Sequence, residues 1–380
     1  MKIGIDCRLW DETGVGRYIR NLILNLQKLD QENEYALFVL SKDCNQVISH
    51  LSSLNFHLVK ADVRWHTLEE QLKLPQILNR ENLDLVHFPY FSVPIFYNRP
   101  FVVTIHDLII HHFPTGQAST LPFPIYSLKL LGYKFVMNQV ARKAKKIIVP
   151  LICVKEDLVN TLKVSGDKIV VTYEGVNLNG KLKMNPSASS GEKSQFKIKN
   201  YFLYVGNAYP HKNLERLLQA FSILISKYPS VSLVMVGKED YFYKRLKDKV
   251  RKLGLVKNVS FLKHVNDKEL SDLYRSAKAL ISPSLMEGFG LPALEAMANK
   301  CLVLASDIPA LKETCGDAAL YFNPLSIDEL AGKLRIVTSH TTEYGGLEEL
   351  KKRGVERARK FSWRKMAKET LKVYESCFSL

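Results

Sequence analysis

Short apolar runs rich in β-branched residues alternate along the chain with longer segments in which apolar residues recur every three or four positions. A short run of this kind is typical of a buried strand, and the longer spacing is typical of an amphipathic helix. Regular alternation of the two predicts parallel sheets covered by helices, which is the α/β class.

The short apolar runs form two series. The first series covers residues 2–6, 35–40, 56–59, 85–88, 101–105, 146–149 and 169–172. The second series covers residues 201–205, 231–236, 259–262, 279–282, 302–305 and 319–322. Each series is long enough for one parallel sheet, and a chain of 380 residues is too long for one ordinary core. We therefore predict two α/β domains.

The segment from residue 179 to residue 199 separates the two series. It is rich in Asn, Gly, Lys, Pro and Ser and holds few apolar residues, which is typical of a linker or an exposed loop. We place the first domain at residues 1–178 and the second at residues 179–362. Residues 363–380 predict a basic helix with an apolar face, which docking onto either domain would bury.

The composition is that of a folded protein with a strong positive charge. The formal net charge is +16, from 54 Lys and Arg against 38 Asp and Glu, and such a field attracts phosphorylated substrates, anionic lipids and nucleic acids. Residues 120–146 combine Leu, Phe and Tyr with six basic residues, which is typical either of a peripheral helix on an anionic membrane or of a solvated face over a core. Aromatic residues are not interleaved with this basic run in a recognisable module, so we do not expect nucleic acid as a partner.

Nothing in the sequence indicates export or a membrane span. The amino terminus lacks the basic and long apolar regions of a signal peptide. The longest apolar run, residues 147–154, is far shorter than the roughly 20 residues needed to cross a bilayer. The six cysteines are scattered, with no C-x-x-C pair, so neither a zinc site nor a disulfide framework is indicated. We expect a cytoplasmic protein, or one at the periphery of the inner face of the membrane.

The densest chemical signal lies between residues 282 and 298, where a glycine-containing turn joins a strand to a helix. Gly288 and Gly290 allow the backbone to approach a ligand closely. Pro292 suits the first helical turn, and the preceding Leu291 has no side-chain oxygen to cap the free backbone amides. The amides of residues 290–293 are therefore predicted to bind an anion such as a phosphate.

Two carboxylates flank this predicted anion site. Glu287 lies in the turn, and Glu295 lies about one turn inside the helix. Carboxylates accept paired hydrogen bonds from neighbouring hydroxyls, so both positions suit ribose and sugar hydroxyls. Two glutamates at this separation are a weak signal by themselves, and the alternative is a helix cap with two solvated side chains.

Two further candidates lie in the first half of the chain. His106 follows a predicted strand at the carboxyl edge, where open α/β sheets bind ligands, although a single histidine is more often structural. Gly14 and Gly16 lack the third glycine of a dinucleotide-binding fingerprint. We interpret them as a close-approach loop near a phosphate or an acceptor, with Arg17 as a contact.

Four segments together resemble the large family-4 retaining glycosyltransferases, which have the GT-B fold. Residues 287–295 resemble the E-x7-E element of that family, and residues 13–18 resemble its N-terminal glycine loop. Residues 104–108 resemble its active-site histidine segment, and residues 206–214 resemble its basic donor loop. The resemblance implies two Rossmann-like domains facing across a cleft, with the helix at 363–380 crossing back to the first.

The resemblance also implies roles for individual residues. The candidates are His106, Lys212 and Glu287 for catalysis, Gly206, Asn207, Gly288, Phe289, Gly290, Leu291 and Glu295 for donor binding, and Gly14, Gly16 and Arg17 near the acceptor or a phosphate. Glu295 would hold the donor ribose, Glu287 the donor sugar, and Lys212 the leaving phosphate. Lys212 would take the role that a metal has in other transferases. No Asp-x-Asp metal motif lies in a matching place, so no metal and no other cofactor is expected. A solvated surface lysine is the alternative for Lys212.

The implied reaction is retaining transfer of a hexose from a nucleotide sugar to a glycan or a lipid-linked acceptor, with GDP-mannose as the suggested donor. Many members of the family carry Arg in the basic loop, where this chain has Asn207, Ala208 and His211, so the choice of donor does not follow from the resemblance. The alternatives are a GT-B enzyme of another reaction type, such as a phosphorylase or a sugar-nucleotide epimerase, and a non-catalytic protein that binds polyanions.

Overall fold

The computed structural model describes residues 1–114, 123–177, 199–263, 265–339 and 346–378. The chain divides into two compact units. Unit 1 consists of Met1–Gly175 and Ser362–Leu380, and unit 2 consists of Val176–Phe361. The predicted linker at residues 179–199 lies outside the described residues except for Lys199, and so do residues 120–122 of the predicted basic stretch.

Unit 1 is built on a parallel sheet of seven strands. The strands are β1 (Lys2–Asp6), β2 (Glu34–Val39), β3 (Phe56–Lys60), β4 (Leu85–Phe88), β5 (Phe101–Thr104), β6 (Lys146–Val149) and β7 (Ile169–Val171). Their order across the sheet is β3-β2-β1-β4-β5-β6-β7. The helices that precede unit 2 in the chain are α1 (Thr13–Leu29), α2 (Cys44–Ile48), α3 (Leu68–Arg80), α4 (Ile109–His112), α5 (Phe123–Lys143) and α6 (Ile152–Leu162).

Unit 2 repeats the architecture with a parallel sheet of six strands. The strands are β8 (Tyr201–Val205), β9 (Ser232–Val236), β10 (Val259–Leu262), β11 (Leu280–Ser282), β12 (Val303–Ser306) and β13 (Leu320–Phe322). Their order is β10-β9-β8-β11-β12-β13. The helices are α7 (Leu214–Ile225), α8 (Tyr241–Lys252), α9 (Asp267–Ser276), α10 (Leu291–Ala298), α11 (Pro309–Cys315), α12 (Ile327–Ser339) and α13 (Leu347–Arg359).

The predicted α/β class and the predicted strands are confirmed. Each strand is present, and each of its ends lies within one residue of the predicted position. Strands such as β4, β5 and β12 are buried along their whole length, which is why they read in the sequence as continuous apolar runs. The apolar stripe of α1 is part of the core, because Ile19, Leu22, Ile23 and Leu26 have no exposed surface.

The last helix, α14 (Trp363–Ser376), belongs to unit 1 although it follows unit 2 in the chain. It packs against α1, and Trp363, Met366 and Tyr374 are buried. The hydroxyl of Tyr374 lies 2.7 Å from Nδ1 of the fully buried His87 on β4. Both apolar packing and a buried hydrogen bond therefore join α14 to the core of unit 1.

A buried ion triad lies where β1 ends. Arg8 is 2% exposed, and its Nε and Nη2 donate to the two carboxylate oxygens of Asp6 at 2.8 and 2.7 Å. Nη2 also donates to Oε1 of Glu70 at 2.6 Å, and Nη1 donates to the carbonyl oxygen of Val63 at 2.8 Å. The guanidinium thus compensates two carboxylates that would otherwise be buried without a positive partner.

Candidate active site

The topology of unit 2 brings two predicted site segments together. The strand order reverses between β8 and β11, which are parallel neighbours. In open α/β sheets, ligands bind outside the carboxyl ends of the strands at such a switch point. Residues 206–213 follow β8 and residues 283–290 follow β11, so the basic segment and the glycine turn both lie at this edge.

Lys212 and Glu287 form an ion pair at the switch point. The Nζ of Lys212 lies 2.8 Å from each carboxylate oxygen of Glu287, and the hydroxyl of Ser284 donates to Oε1 at 2.6 Å. The side chains of the pair are only 15% and 13% exposed. Burial raises the pKa of Glu287, but the charge and hydrogen bonds of Lys212 and Ser284 outweigh it and leave the pKa below its ordinary value. Glu287 is therefore ionised at neutral pH, and Lys212 is not a solvated surface lysine.

Backbone contacts hold the two loops beside each other. The amide of Leu285 donates to the carbonyl oxygen of His211 at 2.7 Å, and Nδ2 of Asn213 donates to the carbonyl oxygen of Pro283 at 3.0 Å. Asn213 has a φ of 59°, in the left-handed region that asparagine tolerates better than most residues. The position of Lys212 relative to the glycine turn is thus fixed by its immediate neighbours.

The glycine turn presents unpaired backbone donors. Gly290 is the N-cap of α10 with a φ of 87°, and no side chain caps the helix. Within the described ranges, the amides of residues 288–291 have no hydrogen-bond acceptor. The amide of Ala293 does have one, since it donates to the carbonyl oxygen of Gly290 at 2.9 Å. The predicted run of free amides at 290–293 therefore holds for Gly290 and Leu291 but not beyond them, because Pro292 has no N–H and the helix begins with a tighter hydrogen-bonded turn at Ala293.

The side chain of Phe289 is structural. It is 4% exposed, and its ring packs edge-on against Phe361 at 5.6 Å between centroids. Its carbonyl oxygen accepts a hydrogen bond of 2.5 Å from the hydroxyl of Thr314. The amide of Phe289 is therefore its part that remains available to a ligand. The amides of the buried Gly288 and of Leu291, at the first position of α10, are available as well.

Glu295 lies half-buried on α10, and the hydroxyl of Tyr274 donates to its Oε2 at 3.0 Å. Tyr274 lies on α9 and is 1% exposed, so its phenol is a fixed donor that orients the carboxylate. Tyr274 was not among the predicted site residues. Its aromatic ring in an amphipathic helix is indistinguishable from a core residue in the sequence.

Gly206 and Asn207 shape the loop after β8. The amide of Gly206 donates to the carbonyl oxygen of Val236 at 3.0 Å, and its own carbonyl oxygen accepts from the phenol of Tyr243 at 2.7 Å. The carbonyl oxygen of Asn207 accepts from the phenol of Tyr204 at 2.5 Å. Two buried tyrosines thus hold the start of the basic segment.

In unit 1, His106 lies at the carboxyl edge of the sheet, two residues after β5. Its Nδ1 is 3.1 Å from Oε1 of Glu174, and its Nε2 is 2.9 Å from the carbonyl oxygen of Pro89. The ring of Tyr18 on α1 stands edge-on to it at 5.0 Å. Glu174 was not predicted, although a polar residue two positions after the predicted strand at residues 169–172, at the same edge, is a signal that would have pointed to it.

The two predicted glycines near the amino terminus differ from each other. Both lie in the first turn of α1, which begins at Thr13, and not in a loop before it. A Cβ at Gly16 would overlap the carbonyl oxygen of Trp10, so packing requires this glycine. A Cβ at Gly14 would meet nothing within 4 Å. Gly14 therefore faces open space, and Arg17 lies half-buried one turn further along.

The outer face of α5 in unit 1 carries exposed apolar side chains followed by basic ones. Ile125, Leu128, Leu131 and Phe135 lie on one stripe of this helix and are 48%, 71%, 65% and 55% exposed. Arg142 and Lys143 continue the exposed face at the end of the helix. We refer to these six residues as the α5 stripe.

None of the helices in the described ranges is long and apolar enough to span a bilayer. Nor do three or more His, Cys, Asp or Glu side chains in those ranges form a group that could hold a metal ion.

Comparison with known families finds matches over both halves of the chain. Residues 189–361 match the family described as glycosyl transferases group 1, and residues 13–179 match glycosyltransferase family 4. The O-antigen chain mannosyltransferase RfbU of Salmonella typhimurium is 30% identical over 68% of this chain and 66% of its own length. The uncharacterized glycosyltransferase MJ1607 of Methanocaldococcus jannaschii is 31% identical over 81% and 79%.

Solved structures share the fold at low sequence identity. Sucrose-phosphate synthase from Thermosynechococcus elongatus superposes with a TM-score of 0.76 at 19% identity, covering 100% of this chain and 99% of its own. Alr3699/HepE from Anabaena, in complex with UDP and glucose, gives a TM-score of 0.74 at 17% identity, covering 99% and 100%. Both sheets and their helices therefore correspond to the GT-B fold.

Proposed function

The chain belongs to the group 1 glycosyltransferases, and from that premise we propose that it transfers mannose from GDP-mannose to a glycan or lipid-linked acceptor, with retention and without a metal. Mannose as the sugar rests on the relative named as an O-antigen chain mannosyltransferase. The group 1 match covers unit 2, so we assign the donor to unit 2 and the acceptor to unit 1.

The observation that carries the proposal is the row of unpaired amides at residues 288–291 beside the Lys212–Glu287 pair. When the bond between the sugar C1 and the diphosphate oxygen breaks, negative charge develops on the diphosphate. Backbone amides at a helix start and a lysine ammonium stabilise such charge without reorganising. Glu287 would release part of its contact with Lys212 and accept hydrogen bonds from hydroxyls of the sugar.

Retention requires the acceptor to attack from the face that the diphosphate leaves. In the proposed step the acceptor oxygen bonds to C1, and its proton passes to the departing phosphate oxygen. The chain then has to bind, orient and stabilise charge, and no side chain has to act as the base. The proposed roles are the donor ribose for Glu295 and a position near the transferred sugar for His106.

Binding of a nucleoside diphosphate to unit 2 tests the donor assignment. Among UDP, GDP, ADP and dTDP, we expect GDP to raise the melting temperature most, because GDP is the product of the proposed donor. A ligand at a hundredfold excess over its Kd stabilises the folded protein by about 2.7 kcal/mol. Glu295→Ala should abolish that rise because it removes the ribose acceptor. Glu348→Ala, which removes a carboxylate that is 81% exposed on α13, is the matched control and should keep it.

A rise that persists in full in Glu295→Ala would contradict the assignment of the ribose. The alternative GT-B reactions are separated by turnover: a transferase releases GDP from GDP-mannose only when acceptor is present, whereas an epimerase releases none. A protein that binds polyanions without catalysis would bind DNA or lipid tightly and show no melting rise with any of the four nucleotides.

The α5 stripe supports a further element of the proposal, contact with an anionic membrane from which a lipid-linked acceptor is taken. Four exposed apolar side chains followed by two cations complement the acyl and headgroup layers of such a bilayer. Contact with the acyl layer would remove these exposed apolar side chains from water.

Vesicle sedimentation tests this contact. We expect the protein to bind vesicles with anionic lipid more tightly than neutral ones, and the double substitution Leu128→Ser and Leu131→Ser to weaken binding at least about tenfold. The matched control replaces Leu68 and Leu72, which are 83% and 61% exposed on α3 of the same unit, by serine. Equal binding of the two double variants would contradict the contact.

A further inference from the structure

Glu174 and His106 meet across the carboxyl edge of the sheet in unit 1. His106 follows β5 and Glu174 follows β7, which are separated by β6. Glu174 is 4% exposed, and its Oε1 lies 3.1 Å from Nδ1 of His106. A carboxylate this far out of water is costly unless a positive or hydrogen-bonding partner compensates it. The imidazole ring is that partner.

The hydrogen-bond partners of the ring favour a doubly protonated imidazole. The partner of Nε2, the carbonyl oxygen of Pro89, can only accept, and the partner of Nδ1 is a carboxylate, which also accepts. A neutral imidazole has one N–H and would leave one of these acceptors without a donor. The imidazolium has two N–H groups and donates to both acceptors.

The charges around the ring agree with this state. Burial lowers the pKa of His106, but the hydrogen bond and charge of Glu174, with smaller contributions from Pro89 and Asp107, outweigh it and raise the pKa above its ordinary value. Two titratable rings beside His106, those of Tyr18 and His87, are neutral at physiological pH. Burial raises the pKa of Tyr18 and lowers that of His87 to about 3.

The backbone beside Glu174 is fixed in place. A Cβ at Gly175 would overlap the amide nitrogen of Trp363, at the start of α14. The close approach leaves no room for any side chain but hydrogen, and it pins the peptide that follows Glu174 against this helix. The carboxylate is therefore aimed by packing as well as by its own hydrogen bond.

We propose that Glu174 is the positioning residue of His106, which it holds in one orientation with both ring nitrogens protonated. The inference rests on the proposed function, in which His106 lies near the transferred sugar. Both N–H groups of the ring are committed to the protein. A sugar hydroxyl obtains one of them only by replacing an acceptor, so His106 contributes mainly a fixed shape and a positive charge.

Three variants of the full chain test the proposal. Glu174→Gln keeps a hydrogen-bond acceptor of the same size but removes the charge, and Glu174→Ala removes both. Asp157→Asn is the matched control, because Asp157 pairs with Nε2 of His112 at 2.8 Å on the exposed surface of the same unit. The measurements are the titration of the His106 ring by NMR and the pH profile of kcat and KM for GDP-mannose with lipid-linked acceptor.

In Glu174→Gln we expect the titration of His106 to move down by at least about one pH unit, because the attraction to the carboxylate is lost. The imidazolium form is then present only at lower pH, so the alkaline limb of kcat should move down with it. At neutral pH kcat should fall about tenfold and recover in acid, with KM for GDP-mannose changed less than about twofold. Asp157→Asn should match the wild type in the His106 titration and in the kcat profile. Glu174→Ala should have a lower kcat than Glu174→Gln at every pH.

The proposal is overturned if the His106 titration is the same in Glu174→Gln and the wild type, or if it moves while the kcat profile does not. A uniform loss of kcat at all pH values, with a lower melting temperature, would assign Glu174 a structural role only. If the wild type transfers no sugar, the proposed function fails, and the NMR titration still decides whether Glu174 holds the proton on His106.

Discussion

Replacing Lys212 by methionine is expected to lower kcat about a hundredfold to a thousandfold, which is the usual effect of removing one donor aimed at developing negative charge. The Nζ of Lys212 is held 2.8 Å from Glu287 in a largely buried site, so water cannot replace it easily. Because the diphosphate gains charge as it departs, kcat should fall more than KM for the donor rises. Steady-state kinetics with saturating acceptor measure both.

A double-mutant cycle distinguishes catalysis from local packing. Because Lys212 and Glu287 touch, the loss of kcat in the double variant should differ strongly from the sum of the losses in Lys212→Met and Glu287→Gln, expressed as free energies. Lys249→Met is the control, because Lys249 forms a 3.3 Å ion pair with the exposed Glu215 in the same unit. A Lys212→Met enzyme that retains half of the wild-type kcat would refute the role given to this lysine.

Replacing Arg8 by methionine is expected to lower the free energy of unfolding of unit 1 by about 3–5 kcal/mol, because two buried carboxylates lose their shared cation. Four hydrogen bonds of the guanidinium to Asp6, Glu70 and Val63 disappear with it. The three tryptophans, Trp10, Trp65 and Trp363, all belong to unit 1, so tryptophan fluorescence during urea unfolding reports on this unit alone.

The loss of stability in Arg8→Met is expected to depend on pH. Burial raises the pKa of Glu70 above its ordinary value even with Arg8 present, and loss of Arg8 raises it further. The difference in free energy of unfolding between Arg8→Met and the wild type should therefore be largest at neutral pH. It should shrink as the pH falls and the carboxyl groups become protonated, because a neutral acid costs less to bury than a carboxylate. Lys73→Met, which breaks an exposed pair with Glu69, should cost less than about 0.5 kcal/mol. An Arg8→Met protein as stable as this control would contradict the account.

The fold was predictable because burial leaves a direct trace in the sequence. Strands of a covered parallel sheet are apolar on both faces, so β5 and β12 could be located to within one residue. The turn at Gly288 and Gly290 was equally visible, since a proline shortly after glycines is typical of a turn that leads into a helix. These features depend on residues close together in the chain.

Features that depend on strand order could not be predicted from periodicity. The contact between Lys212 and Glu287 exists because β8 and β11 are neighbours, and nothing in either strand specifies that. The contact between His106 and Glu174 spans three strands in the same way. A strand pattern predicts which residues reach the carboxyl edge, but not which of them touch.

The sequence also does not show where backbone from another part of the chain packs closely against a residue. Gly14 and Gly16 read as one motif, yet the carbonyl oxygen of Trp10 leaves no room for a side chain at Gly16 and does not approach Gly14. A glycine needed for packing and a glycine open to a ligand have the same letter. Only the neighbours in space separate them.

Because α14 completes unit 1 but is translated after all of unit 2, the amino-terminal sheet emerges from the ribosome long before the helix that covers α1. Nascent unit 1 must wait with the surface around His87 uncovered while unit 2 is synthesised. The final packing of unit 1 therefore depends on the synthesis of α14, and we expect a protein truncated within unit 2 to leave the surface that α14 covers exposed to chaperones and proteases.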